Sequence, residues 1–194
     1  MLITAHGGAH KTSRNSKRFF FDISHYNVDV VEVDIWRCGK KLYLSHLPSF
    51  PCLRLPLAYA FRFIKKYDFK INCDVKQTGL VKDVLKLAKQ EDVQDRIIFT
   101  GSVSVKDLKY LDSGEVYLNK SFFKLPHPKS YDFRHTYLTD QFLAECEKHS
   151  LPISTFVVNS EKDMDRLLKY KIIANITTNL PKRLLEITNK TVEK

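Results

Sequence analysis

Six side chains stand out for what their types and spacing could do: His6, Glu32, Asp34, His46, Asp74 and Lys76. Glu32 and Asp34 fall two apart in "VEVDI". In a strand, side chains alternate between faces, so both carboxylates point one way while Val31, Val33 and Ile35 point the other. Two like charges ~4 Å apart repel by about 4 kcal/mol at an effective dielectric near 20. A bound cation, a lysine or protonation of one acid must offset that. "INCDVK" repeats the device, with Asp74 and Lys76 on one face and Cys73 and Val75 on the other. Three converging carboxylates suit a hard divalent cation, Mg²⁺ or Ca²⁺; the other reading is an ion-pair cluster that only holds structure. His6 follows the apolar opening "LITA", where Gly7 and Gly8 let the backbone turn or approach a ligand closely. His46 closes "LYLSH". Two histidines beside a cation site are suited to general acid and base roles, because imidazole titrates near neutral pH. His10, His25, His127, His135 and His149 lack such placement and read as surface or structural.

These residues need elements to carry them. Strand-like runs occur at "LITAHG", 30–36, 70–76, 96–101, 115–120, 131–138, 153–158 and 172–178, with "KLYLSH" as a hairpin partner of the second. Helical patterns lie between them. Ser104 with Asp107, and Ser160 with Asp163, read as capping boxes, with Gly114 as a stop for the first helix. "TGLVKDVLKLAKQ" and "TDQFLAECEKH" space apolar residues at i, i+3 and i+4. Alternating strands and helices imply a parallel sheet. Eight strands, each followed by a helix, predict a compact α/β fold, a (β/α)8 TIM barrel with its chemistry at the C-terminal strand ends. A doubly wound open sheet is the alternative.

The chain of 194 residues, 43% apolar and 28% charged, predicts one soluble domain with a substantial core. "MLITAHGGAH" has no basic region followed by a sustained apolar one, so it reads as mature structure, and no run is long enough to span a membrane. Cys38, Cys52, Cys73 and Cys146 form no CxxC pair and read as separate thiols in a reducing cytoplasm. The formal charge of +10 favours anionic partners, although lysines are scattered along the whole chain.

In this order, "AHGG", "VEVDI", "LSH" and "INCDVK", followed by "QDRIIFTGS", "STFVVN" and "ANITTNLP", resemble the glycerophosphodiester phosphodiesterase family of the phospholipase-C-like barrels. The resemblance implies one divalent cation held by Glu32, Asp34 and Asp74, with His6 and His46 as the acid–base pair. It further implies Lys76 and Asn15 as substrate-binding residues, Asn15 coming from "RNS", which stands where the family has Glu-Asn-Thr. The family's arginine after the first histidine is Gly7 here, its aspartate after the second is Leu47, and the tryptophan before "VN" is Phe156. Only 28 residues separate His46 from Asp74, so the small insertion domain common in the family is missing. The implied substrate is a small glycerophosphodiester or lysophospholipid.

Two alternatives stand beside this reading: a sphingomyelinase-D-like phospholipase of the same barrels, and a catalytically silent barrel that binds phosphate-rich partners. "LRLPLAYAFRFIKKY" at 53–67 reads as an outer helix rather than a membrane-surface one. Phe122 and Phe123 in "SFFKLPHPK" are either packed or available to an acyl chain. Peripheral contact with an anionic membrane is thus an open partner. "KRFFF" is too thin a basic–aromatic patch to indicate nucleic acid.

Overall fold

The order in which the strands pair explains how residues far apart in sequence meet. The computed structural model describes residues 1–111, 115–119 and 130–189. Its strands are β1 (Leu2–Ala5), β2 (Val30–Cys38), β3 (Lys41–Leu44), β4 (Lys70–Val75), β5 (Ile97–Gly101), β6 (Glu115–Asn119), β7 (Ser130–Arg134), β8 (Ile153–Phe156) and β9 (Ile173–Thr178). The helices are α1 (Lys17–Ile23), α2 (Leu57–Tyr67), α3 (Val81–Gln90), α4 (Asp140–Lys148), α5 (Glu161–Leu167) and α6 (Pro181–Ile187). All pair parallel except β3, which runs antiparallel to β2 as the expected hairpin. The sheet order is β1-β9-β8-β7-β6-β5-β4-β2-β3. β1 also pairs with β2, through Thr4 with Val30 and Ala5 with Val31, so the pairings return to the strand they start from.

The alternation read from "VEVDI" extends around this curled sheet. Ile3, Val31, Val33, Ile71, Cys73, Phe99 and Ile176 pack with helix residues such as Phe20, Phe61, Val84, Met164 and Leu184 in one apolar layer. The opposite face is mostly polar: Thr4, Glu32, Asp34, Asn72, Thr100, Asp132, Ser154 and Asn175 are all buried. A small separate cluster of Val30, Ile98 and Leu2 lies on this inner side. The inner face is therefore buried without being oily, which requires its polar groups to find partners.

Helix starts follow their caps. The Ser16 hydroxyl accepts from the Phe19 N–H, Thr139 from Phe142 and Ser160 from Asp163. α2 buries Leu57, Ala60, Phe61, Phe63 and Ile64, which makes 57–67 an outer helix of the fold. Two expectations change. The segment after Ser104 forms a 3-10 helix over Val105–Tyr110 in place of the expected α-helix, with Asp107 accepting from both the N–H and the hydroxyl of Ser104 as in a capping box. The strand at 131–138 stops at Arg134 and passes into a 3-10 turn, His135–Tyr137. Thus not every strand leads directly to an α-helix. The four cysteines are free thiols. Among the described residues no helix is long and apolar enough to cross a membrane. Gly114, Phe122, Phe123 and His127 lie outside the described residues.

Candidate active site

The β2–β4 register sets Asp34 directly beside Asp74, and Glu32 beside Asn72. Ligand atoms of Glu32, Asp34 and Asp74 lie within 4.8 Å of one another, a grouping that could hold a metal ion. Each acid is placed by a different neighbour. Glu32 accepts the Gly7 N–H at 2.8 Å. A Cβ at position 7 would come within 3.2 Å of that same carboxylate oxygen, so the glycine permits the close approach. Asp34 accepts from Asn15 Nδ2 at 2.8 Å, while its own N–H donates to Asn15 Oδ1 at 3.2 Å. Asn15 is buried and has φ +54°, and its amide is thereby engaged with Asp34. The Lys76 ammonium bridges Asp34 Oδ1, at 2.7 Å, and Asp74 Oδ2.

The electrostatics follow from this crowding. Burial, reinforced by the charges of Asp34 and Asp74, pushes Glu32 well above the usual carboxylate range. Burial also raises Asp74, with Lys76 opposing it. Burial acts upward on Asp34 too, but Lys76, Asn15 and His46 outweigh it and hold this acid below its ordinary value. Burial would lower Lys76, yet its two carboxylate partners keep it above the usual range and fully charged.

The histidines approach from two sides. His6 Nδ1 lies 2.7 Å from Asn179 Oδ1, an acceptor, so Nδ1 carries the proton. Its Nε2 is 3.9 Å from Glu32 Oε2. Burial is the main influence lowering the His6 pKa, so the ring is neutral at pH 7 with Nε2 as a base. His46 Nδ1 lies 3.3 Å from Asp34 Oδ1, at a more exposed position.

The three acids, Lys76, both histidines, Asn72 and Asn179 line one open cavity of about 1340 Å³, whereas Asn15 and Gly7 do not. Several further residues on its wall went unread in the sequence. His135, which reads as surface or structural in the sequence, is among them, as are Arg134 and Asp132; Arg14, the charge-reversing residue of "RNS", also lines it. Trp36, two residues past Asp34 on β2, also lines it, and its indole N–H has no hydrogen-bond partner among the described residues. Arg14 follows the first-strand turn and lies close over Gly8, near enough to His6 to help lower its pKa. The inward alternation of β7, with Asp132 and Arg134 against Tyr131 and Phe133, was the available signal for two of these.

No protein-family model and no curated protein matches the sequence. Solved structures do share the fold. A putative glycerophosphoryl diester phosphodiesterase from Agrobacterium tumefaciens superposes with a TM-score of 0.82 at 11% identity, over 97% of each chain. A phosphodiesterase from Oleispira antarctica, in complex with the product sn-glycerol-3-phosphate, gives 0.77 at 13% identity over 98% of this chain and 97% of its own. A glycerophosphodiester phosphodiesterase from Thermotoga maritima gives 0.66 at 13% identity over 96% and 98%. At such identities the likeness establishes the α/β fold with its curled parallel sheet, across nearly the whole of both chains.

Proposed function

We propose that this chain is a glycerophosphodiester phosphodiesterase-like hydrolase, built as a compact (β/α)8 barrel without an insertion domain and dependent on a divalent cation. One observation carries the reading: three carboxylates within 4.8 Å of one another, at a cavity also lined by His6, His46 and Lys76. The solved structures named above, one holding sn-glycerol-3-phosphate, support it by sharing the fold.

The donor set fits a hard dication. All three candidate ligands are carboxylate oxygens, and two of these acids, Glu32 and Asp74, are raised chiefly by burial, with repulsion from the neighbouring acids adding to it. Glu32, Asp34 and Asp74 would hold Mg²⁺ or Ca²⁺, which supplies Lewis-acid polarisation of the phosphoryl group when bound. The protein's own groups do the rest. His6 Nε2, neutral and fixed through Asn179, takes the proton of the attacking oxygen as the new P–O bond forms. His46 gives its proton to the departing alkoxide as the ester P–O bond breaks, and its contact with Asp34 orients the ring. Lys76 places a permanent positive charge beside the phosphate, and Asn15 holds Asp34 in place from below. Peripheral contact with an anionic membrane belongs to this proposal, supported by the exposed Leu47, Phe50 and Leu53 just beyond His46.

Hydrolysis of bis(p-nitrophenyl) phosphate with Mg²⁺, Ca²⁺ or Mn²⁺, with and without chelator, tests the proposal. Turnover that chelator abolishes is expected, with kcat lowered roughly 10²–10⁴-fold in His6→Ala and in His46→Ala. Chelator-insensitive polyanion binding without turnover would replace it with a silent phosphate binder.

A further inference from the structure

A second cavity, of about 930 Å³, shares no lining residue with the first. It lies among the β2–β3 hairpin, α2, α3 and the 3-10 turn Pro51–Leu53. Its charge is the reverse of the acid cluster's. Arg37, Lys40, Lys41, Arg54 and Lys86 line it, against a single acid, Asp83, which Arg37 already holds at 2.6 Å. Lys40, Lys41, Arg54 and Lys86 therefore reach the cavity with no carboxylate of its wall left to neutralise them.

Three separate stretches of chain supply these charges. Cys38 pairs with Lys41, which leaves Gly39 and Lys40 as a two-residue turn and puts both lysines at the hairpin tip beside Arg37. Lys86 stands three residues after Asp83 on α3, on the same helix face, and the Arg37–Asp83 pair ties the hairpin to that helix. Arg54 follows the 3-10 turn. Its Nε donates to Ser49 Oγ at 2.8 Å, so its two terminal nitrogens are left for an incoming group. The lining is otherwise largely apolar, with Leu42, Tyr43, Pro56 and Leu87. Phe50 and Leu53 stand either side of Pro51, itself on the lining, and both are exposed. Cations converging on one concave surface reinforce each other's field and draw an anion to it.

We propose that this second cavity binds the phosphate of an anionic phospholipid headgroup, apart from the catalytic cavity, with Phe50 and Leu53 entering the bilayer beside it. This rests on the membrane contact of the reading above and deepens it by naming the side chains that select the lipid's charge. A free phosphate would meet the cations but leave Phe50 and Leu53 in water. A zwitterionic headgroup would bring its quaternary ammonium among five cations. An anionic headgroup in a bilayer answers both the charge and the apolar tip. The chain from His46, on the catalytic cavity, to Arg54, on this one, carries Leu47, Phe50 and Leu53 between them. A lipid held at the second cavity thereby keeps the catalytic one close to the membrane.

Sedimentation of the whole chain with phosphatidylcholine vesicles, with and without phosphatidylglycerol, tests this. Binding only where phosphatidylglycerol is present is expected. A triple variant, Lys40→Ala, Lys41→Ala and Lys86→Ala, should weaken it about a hundredfold, at roughly fivefold for each lysine. A control, Lys162→Ala, Lys169→Ala and Lys182→Ala, removes the same charge from residues that line neither cavity, and should bind nearly as wild type does. All six lysines are exposed, so both variants should fold. Equal losses in the two variants would show a response to net charge alone and overturn the site. Wild-type protein left in the supernatant, or full binding by the first variant, would overturn it too. Calorimetry with inorganic phosphate in chelated buffer covers the soluble source: phosphate binding lost in the first variant, with vesicle binding unchanged, would assign the cavity to a free anion instead. Turnover of bis(p-nitrophenyl) phosphate should be the same in wild type and both variants. Its absence from wild type sinks the phosphodiesterase reading, whereas the vesicle comparison decides only the headgroup site.

Discussion

Replacing Asp132 with asparagine should make the protein more stable, and increasingly so as the pH rises. The Asp132 carboxyl titrates near 7 in the fold against an ordinary 3.8, chiefly because burial penalises its charge, with Asp74 adding to the shift and Ser154 opposing it. Between these values the folded chain keeps a proton that the unfolded chain has released. Wild-type stability therefore falls with rising pH, by about 1.4 kcal/mol per unit at full slope. Over a span of roughly three units the accumulated loss is about 4 kcal/mol, complete by pH 8. Below the unfolded value the acid is protonated in both states and the term vanishes. Asparagine is neutral throughout and has nearly the same shape. The variant should match wild type near pH 4 and exceed it by about 4 kcal/mol at pH 8, a rise of roughly 10 °C in melting temperature for a domain of this size.

The assay is urea unfolding of both proteins in chelated buffer at each pH from 4 to 8, followed by far-UV circular dichroism. Only the difference between the two proteins matters. Every other titrating group is common to both, so its contribution largely cancels. A difference that stays flat, or that grows toward acid, would refute the reasoning. It would mean that Asp132 is ionised at neutral pH with a partner, and that the inner face of the sheet is not the poorly solvated environment described here.

Two further outcomes are expected. Gly101→Ala should destabilise by about 2–4 kcal/mol, because φ is +82° and the new methyl would run into Asp74 Oδ1 and lie 2.5 Å from the Val75 carbonyl oxygen; an unchanged thermal melt would contradict this. Leu47, Phe50 and Leu53 are 67%, 76% and 76% exposed, and in a chain of net charge +10 they should let it sediment with phosphatidylglycerol vesicles. Changing all three to serine should weaken that association at least about tenfold, and wild-type protein left in the supernatant would reject membrane contact.

What could be read from the sequence was what lies close along the chain. Glu32 with Asp34, and Asp74 with Lys76, share faces because strand alternation is a local rule, and the β2–β4 register then sets Asp34 beside Asp74. Ser160 and Asp163 form the expected cap for the same reason. The misses came from a rule that the inner face reverses. Apolar residues normally mark the one buried side of a strand, but here both sides are buried: Phe133 packs in the core against Phe142 of α4, and Asp132 is enclosed on the inner side. Read alone, "YDFRH" is an ordinary amphipathic strand whose polar side belongs in water. Arg14 was likewise seen as a departure from a motif. That it lies over Gly8 and near His6 depends on the return of the chain after β1, with the Asn15 N–H donating to the Gly7 carbonyl at 2.7 Å. His135 joins the cavity because β7 stops early and its chain turns at the mouth.

The two carboxyl groups that burial raises most tellingly answer different needs. Glu32 sits among other acids, beside a lysine that already bridges two of them, and its raised pKa expresses a shortage of positive charge that a dication would remedy. Asp132 has no lysine bridging it; burial is the main cause of its raised pKa, and Asp74 only adds to it. If both served only to hold the fold, neutral side chains of similar shape would serve better, since ionising either one at neutral pH opposes folding. Binding measurements can separate them: metal should act on the Glu32 side whether or not Asp132 is present, and loss of Asp132 should leave the response to metal intact.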